Sequence, residues 1–505
     1  MTEKKPEIRA VEQEDTSYDH VLKYTGVFGG VQVLTMLVSV LRNKFAALWL
    51  NKAGFGFFMM YMNISSFISS ASNAGVPFSA VKNLSEIYEE GDAGKIESYI
   101  MTVRSISLWT AFFGAFLCVL LAPPISFFAF DGDWGYTLQV AMLSPMIFAI
   151  AVTNGEISIL KATRKLKRVA VISAVTALLT LVSVLPFFYM WGSRGVIPAL
   201  VVNTIVLMLV HLYFSLQLYP WRTEMFSREV WREGVAMVRI GAPYVIAGIL
   251  NALTALAIPA VLLYFGNIDD VGLYKVGYGI MVVYAGIVFV AVETDYFPRL
   301  SAIHANLGRM NYAINQQIDI CILFIAPLLL IIILAMPLII RVLYTAEFLM
   351  VADMAIYSSF YMFFRAVMLP IAYTALAKGD TKTYLLMEIL YDIFSFLLIA
   401  AGYYWGGITG TGIALSVASL LDLVMITLCY RYKYGFRYFP STVRLVLFQA
   451  VLLFAGVMVS IHGTILLRCT LGLFLLLISA FYSYKVLDKR TTVINRIKAG
   501  FFGRK

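Results

Sequence analysis

Residues 161–190 read KATRKLKRVAVISAVTALLTLVSVLPFFYM. The first eight positions hold five cations, Lys161, Arg164, Lys165, Lys167 and Arg168, and the 22 residues from 169 to 190 hold no charge at all. Wound as an α-helix, a run of about 20 apolar residues reaches across a hydrocarbon core about 30 Å thick. A basic collar next to an uncharged apolar run is the pattern of a membrane crossing whose collar stays in the cytoplasm.

The same alternation fills the rest of the chain. Of 505 residues, 61% are hydrophobic and only 13% charged, about half the charged fraction of a soluble domain. The apolar runs predict fourteen transmembrane helices, at about 24–49, 55–81, 98–121, 136–160, 169–190, 195–219, 235–265, 271–297, 312–340, 350–377, 383–404, 408–430, 445–461 and 467–484. The thinnest division is the last, where only His462, Gly463 and Thr464 interrupt the run. A membrane β-barrel needs short segments of alternating polarity, and these runs do not alternate. The fold expected is therefore all-α and polytopic.

Charge placement gives the orientation. With the N-terminus in the cytoplasm, 29 of the 39 lysines and arginines fall on cytoplasmic gaps and tails, and four (Lys52, Arg194, Arg341 and Arg468) on the opposite side. Such a split points to a bacterial inner, cytoplasmic membrane with both termini in the cytoplasm. The net charge of +10 then faces anionic lipid headgroups, not nucleic acid. Residues 2–20 are polar and charged and lack the apolar core of a signal peptide. They read as a solvated tail. A second tail, 486–505, is basic and ends near Phe501 and Phe502. Cys118, Cys321, Cys429 and Cys469 show no metal-site spacing and read as buried thiols.

No gap holds a soluble domain, and no phosphate-binding Gly-x-x-x-x-Gly-Lys loop is present. What organises the chain is repetition. Residues 54–85 and 270–301 pair at an offset of 216: Gly56 with Gly272, Ile64 with Ile280, Val76 with Val292, Leu84 with Leu300 and Ser85 with Ser301. Both stretches are second spans of a six-helix block in the same orientation, so the repeats run parallel. The expected organisation is a tail (1–20), two six-helix lobes (21–220 and 221–440), two additional helices (441–485) and the basic tail.

Four stretches carry a resemblance. They are SVLRNKFAALWLNKAGFGF at 39–57, NISSFISSASNAGVPFSAVKNLSEI at 63–87, VGLYKVGYGI at 271–280 and VETDYFPRLS at 292–301. Together they resemble the Wzx-type O-antigen flippases, polysaccharide-export members of the multidrug/oligosaccharidyl-lipid/polysaccharide exporter superfamily, over about residues 1–440. The resemblance implies a MATE-like fold and a transporter, not an enzyme. It implies a cargo of polyprenyl-diphosphate-linked oligosaccharide moved from the cytoplasmic to the periplasmic leaflet by alternating access, with a glycan polymerase and export machinery as associated partners. No cofactor is implied beyond an H⁺ or Na⁺ gradient.

Charges inside spans select the candidate residues, because each costs at least about 2.5–3.5 kcal/mol to insert. Arg104, Arg239, Glu156 and Asp319 lie near the cytoplasmic ends of their spans and are expected to snorkel to water. Asp353 and Lys275 lie a turn from the other end. Arg365 is the deepest cation. It reads as a contact for an anionic cargo or as a buried ion pair with Glu388 or Asp392. The first span carries Gln32, Arg42 and Lys44 and no acid, which suits a diphosphate, since guanidinium groups bind phosphate through paired charge-assisted bonds. The resemblance matches Arg42 to an arginine that many lipid-diphosphate flippases carry in this span. Arg42, Lys44, Lys275 and Arg365 form the candidate cationic site. Asn63, Asn73 and Asn251 are candidates for sugar hydroxyls or for helix contacts.

Glu388 and Asp392, spaced i, i+4, share one face of span eleven. With Asp422 they are the candidates for ion coupling. Glu293, Asp295 and Arg299 flank Pro298 at the inner end of span eight and read as a gate or a structural ion pair. Two other cargoes suit the same fold: lipid II, and organic cations or drugs, the latter opposed by the acid-free first span. A membrane-embedded glycan polymerase would need a large periplasmic loop. The longest such gap, 122–135, contains no Lys, Arg or His. Its aromatic residues Phe127, Phe128, Phe130, Trp134 and Tyr136 read as an interface belt.

Overall fold

The computed structural model describes residues 6–286, 289, 296, 299–301, 303 and 306–490. Regular structure among them is helical throughout. Nine helices among the described residues are long and apolar enough to cross a membrane. Several hold two apolar limbs, as the sequence breaks require. The chain divides into two compact units, Met1–Leu256 and Ala257–Lys505.

In the first unit, α1 (Pro6–Ser72) contains the first two predicted spans and turns between them at Asn51, with φ 55 and ψ −172. This backbone region is populated almost only by glycine, so the turn strains Asn51 and is held by its contacts. Its Oδ1 accepts the Gly54 N–H at 3.1 Å, replacing an acceptor lost at the turn. A second break departs from the sequence expectation of an unbroken span to residue 81. Helix α1 ends at Ser72 and α2 (Val76–Glu90) starts three residues later. Ala74 and Gly75 both have positive φ, 52 and 73, and Asn73 Oδ1 accepts the Gly75 N–H at 2.9 Å. The cause is tertiary. A Cβ on Gly75 would lie 2.5 Å from the Gly241 Cα, so backbone meets backbone there.

The remaining helices of this unit are α3 (Ala93–Ala129), α4 (Thr137–Ala141), α5 (Ser144–Ala162), α6 (Leu166–Trp191), α7 (Val196–Leu216) and α8 (Arg228–Phe265), the last reaching the unit boundary. Helix α5 packs between α3 and α7, and α6 against α1 and α7. Small residues set these approaches, as they do where lipid supplies no hydrophobic drive between helices. Gly155 faces Ser107, and Gly114 faces Ser72 and Ile147.

In the second unit, α9 (Ile268–Tyr278) continues into a π-turn over Gly279–Tyr284. Then come α10 (Leu307–Leu334), α11 (Met336–Leu343), α12 (Ala352–Tyr357), α13 (Ser359–Ala377) and α14 (Thr381–Tyr434). Helix α14 reverses at Gly407, φ 57, between the eleventh and twelfth predicted spans. Its limbs close on Gly402 and Gly410, where a Cβ on Gly410 would lie 1.9 Å from the Gly402 carbonyl oxygen. Helix α13 lies against both α10 and α14.

The last helices are α15 (Pro440–His462), α16 (Ile465–Leu467) and α17 (Leu473–Arg490). Helices α15 and α17 dock on α10. Gly456 admits Leu330 and Gly472 admits Leu334. Between the pair, buried Gln449 accepts from Ser479 Oγ at 2.7 Å and donates to Ser483 Oγ at 3.1 Å. That polar clasp tells why two apolar helices outside the repeats stay in one register.

Candidate functional site

Charges in the early turns of α3 and the late turns of α5 do not snorkel as expected. Arg104 and Glu156 each expose only 2% of their side chains and form a buried fork, Nε to Oε1 at 2.8 Å and Nη2 to Oε2 at 3.2 Å. Arg104 also donates to the carbonyls of Pro220 (2.6 Å) and Tyr219 (3.2 Å), and its guanidinium lies over Trp221. Ser215 Oγ donates to Glu156. The connector at 217–227 is held further by Trp109 Nε1 to Met225 O (2.8 Å), by the Glu224 N–H to Ser105 Oγ (2.9 Å) and by the ion pair Arg222–Glu97. Glu97, Arg104, Ser105 and Trp109 thus line one stripe of α3. This is structure, not a cargo site. The complementary charges at one depth on adjacent spans were the signal for it. Asp319 is likewise buried, not at water, while Asp353 is exposed as expected.

Arg42 lies on the first limb of α1, half-buried, with Nη2 donating to Asn43 Oδ1 at 3.2 Å. Its guanidinium reaches across the Asn51 turn to the Phe58 ring, 5.6 Å from the centroid. Lys44 and Asn63 are half-buried on α1; Asn251 is exposed on α8. Asn73 forms the turn before α2, where its side chain is committed to the backbone. Of the three gate candidates, Arg299 is exposed; Glu293 and Asp295 lie outside the described residues.

The second unit gathers the rest. Arg365 is half-buried midway along α13 and makes no ion pair with Glu388 or Asp392 among the described residues. Its Nη1 donates instead to Tyr361 Oη at 2.7 Å, one turn earlier on the same face, and the guanidinium stands 5.9 Å from that ring. Tyr278 and Tyr391 are within its electrostatic reach. Glu388 and Asp392 are half-buried on the first limb of α14, near enough to act on one another. Asp422, on the second limb, is buried and lies within electrostatic reach of both Glu388 and Arg365. Lys275 is half-buried on α9. This assembly places a cation beside neutral phenols, with three carboxyls on the neighbouring helix.

A separate network joins the two ends of α14. Asp380 caps α14, accepting from the Thr383 N–H at 3.1 Å, and binds Lys433 Nζ (2.5 Å) and Tyr434 Oη (2.7 Å) at the far end of the same helix. The bonds from Lys433, Tyr434 and the Thr383 amide hold the Asp380 carboxyl well below the usual carboxylate range. Sequence reading passed over it, because the partners stand some fifty residues apart in the chain.

Solved structures share this architecture. The lipid II flippase MurJ in its inward closed conformation aligns with a TM-score of 0.70 at 15% identity, covering 92% of this chain and 100% of that one. An inward-facing multidrug resistance MATE family transporter of the MOP superfamily aligns at 0.66 and 14% identity, covering 80% and 94%. A MATE protein in complex with MaD3S aligns at 0.56 and 14%, covering 82% and 96%. No curated sequence matches the chain. By its fold the molecule is a multi-pass membrane protein of the MurJ and MATE architecture. The sequence profile described as polysaccharide biosynthesis protein matches residues 47–353, and the chain belongs to that family.

Proposed function

We propose that this protein flips a polyprenyl-diphosphate-linked oligosaccharide, an O-antigen or similar surface-glycan repeat unit, from the cytoplasmic to the periplasmic leaflet by alternating access. One observation carries the reading: Arg365, deep in a span, is satisfied by a phenol and not by a carboxylate, so its charge stays available to an anion. Arg42 offers a second guanidinium, held by Asn43 and an aromatic ring. Family membership supports the glycan, and the acid-free first span opposes a cationic cargo. Membrane localisation with cytoplasmic termini, and association with a glycan polymerase and export machinery, belong to the same proposal. The test is complementation in cells lacking the gene. Arg42→Ala and Arg365→Ala should each lower surface glycan at unchanged protein level, and together abolish it. Full export by both single variants would refute the proposal.

The likeness to the lipid II flippase over most of the chain favours a second reading, in which the cargo is lipid II itself. Rescue of cells depleted of their lipid II flippase would establish it, and loss of one surface glycan on gene deletion would establish the first. Under either reading, Glu388 and Asp392 are the proposed coupling site. Adjacent carboxyls in low dielectric share a proton readily. Flipping in vesicles should therefore fall when ΔpH or ΔpNa is collapsed alone; indifference to both removes the coupling.

A further inference from the structure

We infer that Asp422 is the internal counter-anion of Arg365, a second seat for the guanidinium that competes with the cargo's phosphate. The inference rests on the reading of Arg365 as a cargo contact. Its geometry comes from the register of two helices. Ser416 Oγ donates to Tyr357 O at an offset of 59 residues, Ser419 Oγ to Tyr361 O at 58 and Tyr430 Oη to Ala372 O at 58. The second limb of α14 therefore runs parallel to α13 with a nearly constant offset. That offset sets Asp422 level with Phe364, beside Arg365. Asp422 is only 5% exposed, and its Oδ1 has no hydrogen-bond partner among the described residues.

A buried carboxyl oxygen without a donor is costly. The cation at its own level meanwhile points to Tyr361, a neutral acceptor one turn away. The two deficits cancel if the guanidinium moves from the phenol to the carboxylate. The other groups acting on Asp422 and Arg365 are Glu388, a half-buried acid on the first limb of α14, and the phenols of Tyr278, Tyr361 and Tyr391, none of which offers Asp422 a cation. Arg365 thus has two internal seats, one neutral and one anionic. A phosphate binds it most tightly while it rests on Tyr361, and Asp422 draws it back as the cargo leaves. Asp422 acts through Arg365, as a positioning residue.

Two measurements on the full chain in lipid nanodiscs test this. The first is a double-mutant cycle on the thermal unfolding midpoint with Arg365→Gln, Asp422→Asn and the pair, with Arg365→Lys and Asp422→Glu as conservative controls. The double variant should lose clearly less than the sum of the singles, and the controls should lie near wild type. The second is binding of undecaprenyl diphosphate. Asp422→Asn should bind about tenfold tighter and release more slowly, since the competing seat is gone, while Asp422→Glu should restore wild-type binding. Additive midpoints, or binding that Asp422→Asn leaves unchanged, overturn the inference and leave the cargo intact if Arg365→Gln still weakens binding. Coupled midpoints with no binding by wild type keep the charge pair and sink the cargo.

Discussion

Arg104 and Arg365 are the same side chain in two settings, and their partners decide what each does. Arg104 is spent on Glu156 and on two carbonyls of the connector. Removing it strands a buried carboxylate, which typically costs 3–5 kcal/mol. Arg104→Ala should thus lower the unfolding midpoint sharply, and adding Glu156→Ala should recover a good part, because the uncompensated charge goes with it. Equal losses in the single and double variants would mean the connector bonds, not the ion pair, carry the stability. Arg365 is held by a phenol instead, so Arg365→Ala should lower the midpoint less than Arg104→Ala does and strike transport. Sequence alone could not tell these arginines apart. Depth suggested that Arg104 reaches water and left Arg365 between an anionic cargo and an ion pair; Arg104 is instead buried against Glu156, and Arg365 meets Tyr361. Depth counts residues to the membrane surface, whereas pairing depends on which helix lies alongside.

At the scale of elements, the readable breaks were those written in local chemistry. The turns at Asn51 and Gly407 fall where polar or glycine-rich residues interrupt apolar runs, and glycine at 407 takes its positive φ freely. The break at 73–75 lies in small, uncharged sequence, and its cause, the Gly241 backbone, is far away in the chain. The limbs of α14 offer a direct test. Gly410→Val would push a side chain into the Gly402 carbonyl and should splay the limbs, lowering both membrane level and unfolding midpoint; Gly406→Ala, where nothing stands within 4 Å, should change neither.

The two ends of the same helix are joined by Asp380 and Lys433. The folded carboxyl lies below its unfolded value of about 3.9, so the unfolded state binds the proton first. The latch is therefore complete at and above ordinary pH and weakens only as pH falls through the folded value. The drop in unfolding midpoint caused by Asp380→Asn should therefore be the same at every pH between about 8 and 5. A drop that shrinks steadily from pH 8 would assign the latch to another group.

For the whole molecule, the reading that travelled furthest from the sequence is the side of the membrane on which each gap lies. It rests on 29 cations against four, a bias that a missed or added span in the middle of the chain would scramble. The structure supplies helices of the right length and apolarity, while orientation is a property of the charges. Alkaline phosphatase fused after residue 194, 341 or 468 should be active, having reached the periplasm. Fusions after 165, 382 and 488 should be inactive, and a green fluorescent reporter at those points bright. The fusion after 468 is the most informative. It sits between α15 and α17, where His462, Gly463 and Thr464 interrupt the apolar run just before Arg468. An inactive enzyme there, with an inactive one after 488, would mean that the last two helices do not both cross and that the molecule has twelve spans with an interfacial hairpin. An active one completes the fourteen and fixes the basic C-terminal segment on the cytoplasmic leaflet, beside the anionic lipid that its charge requires.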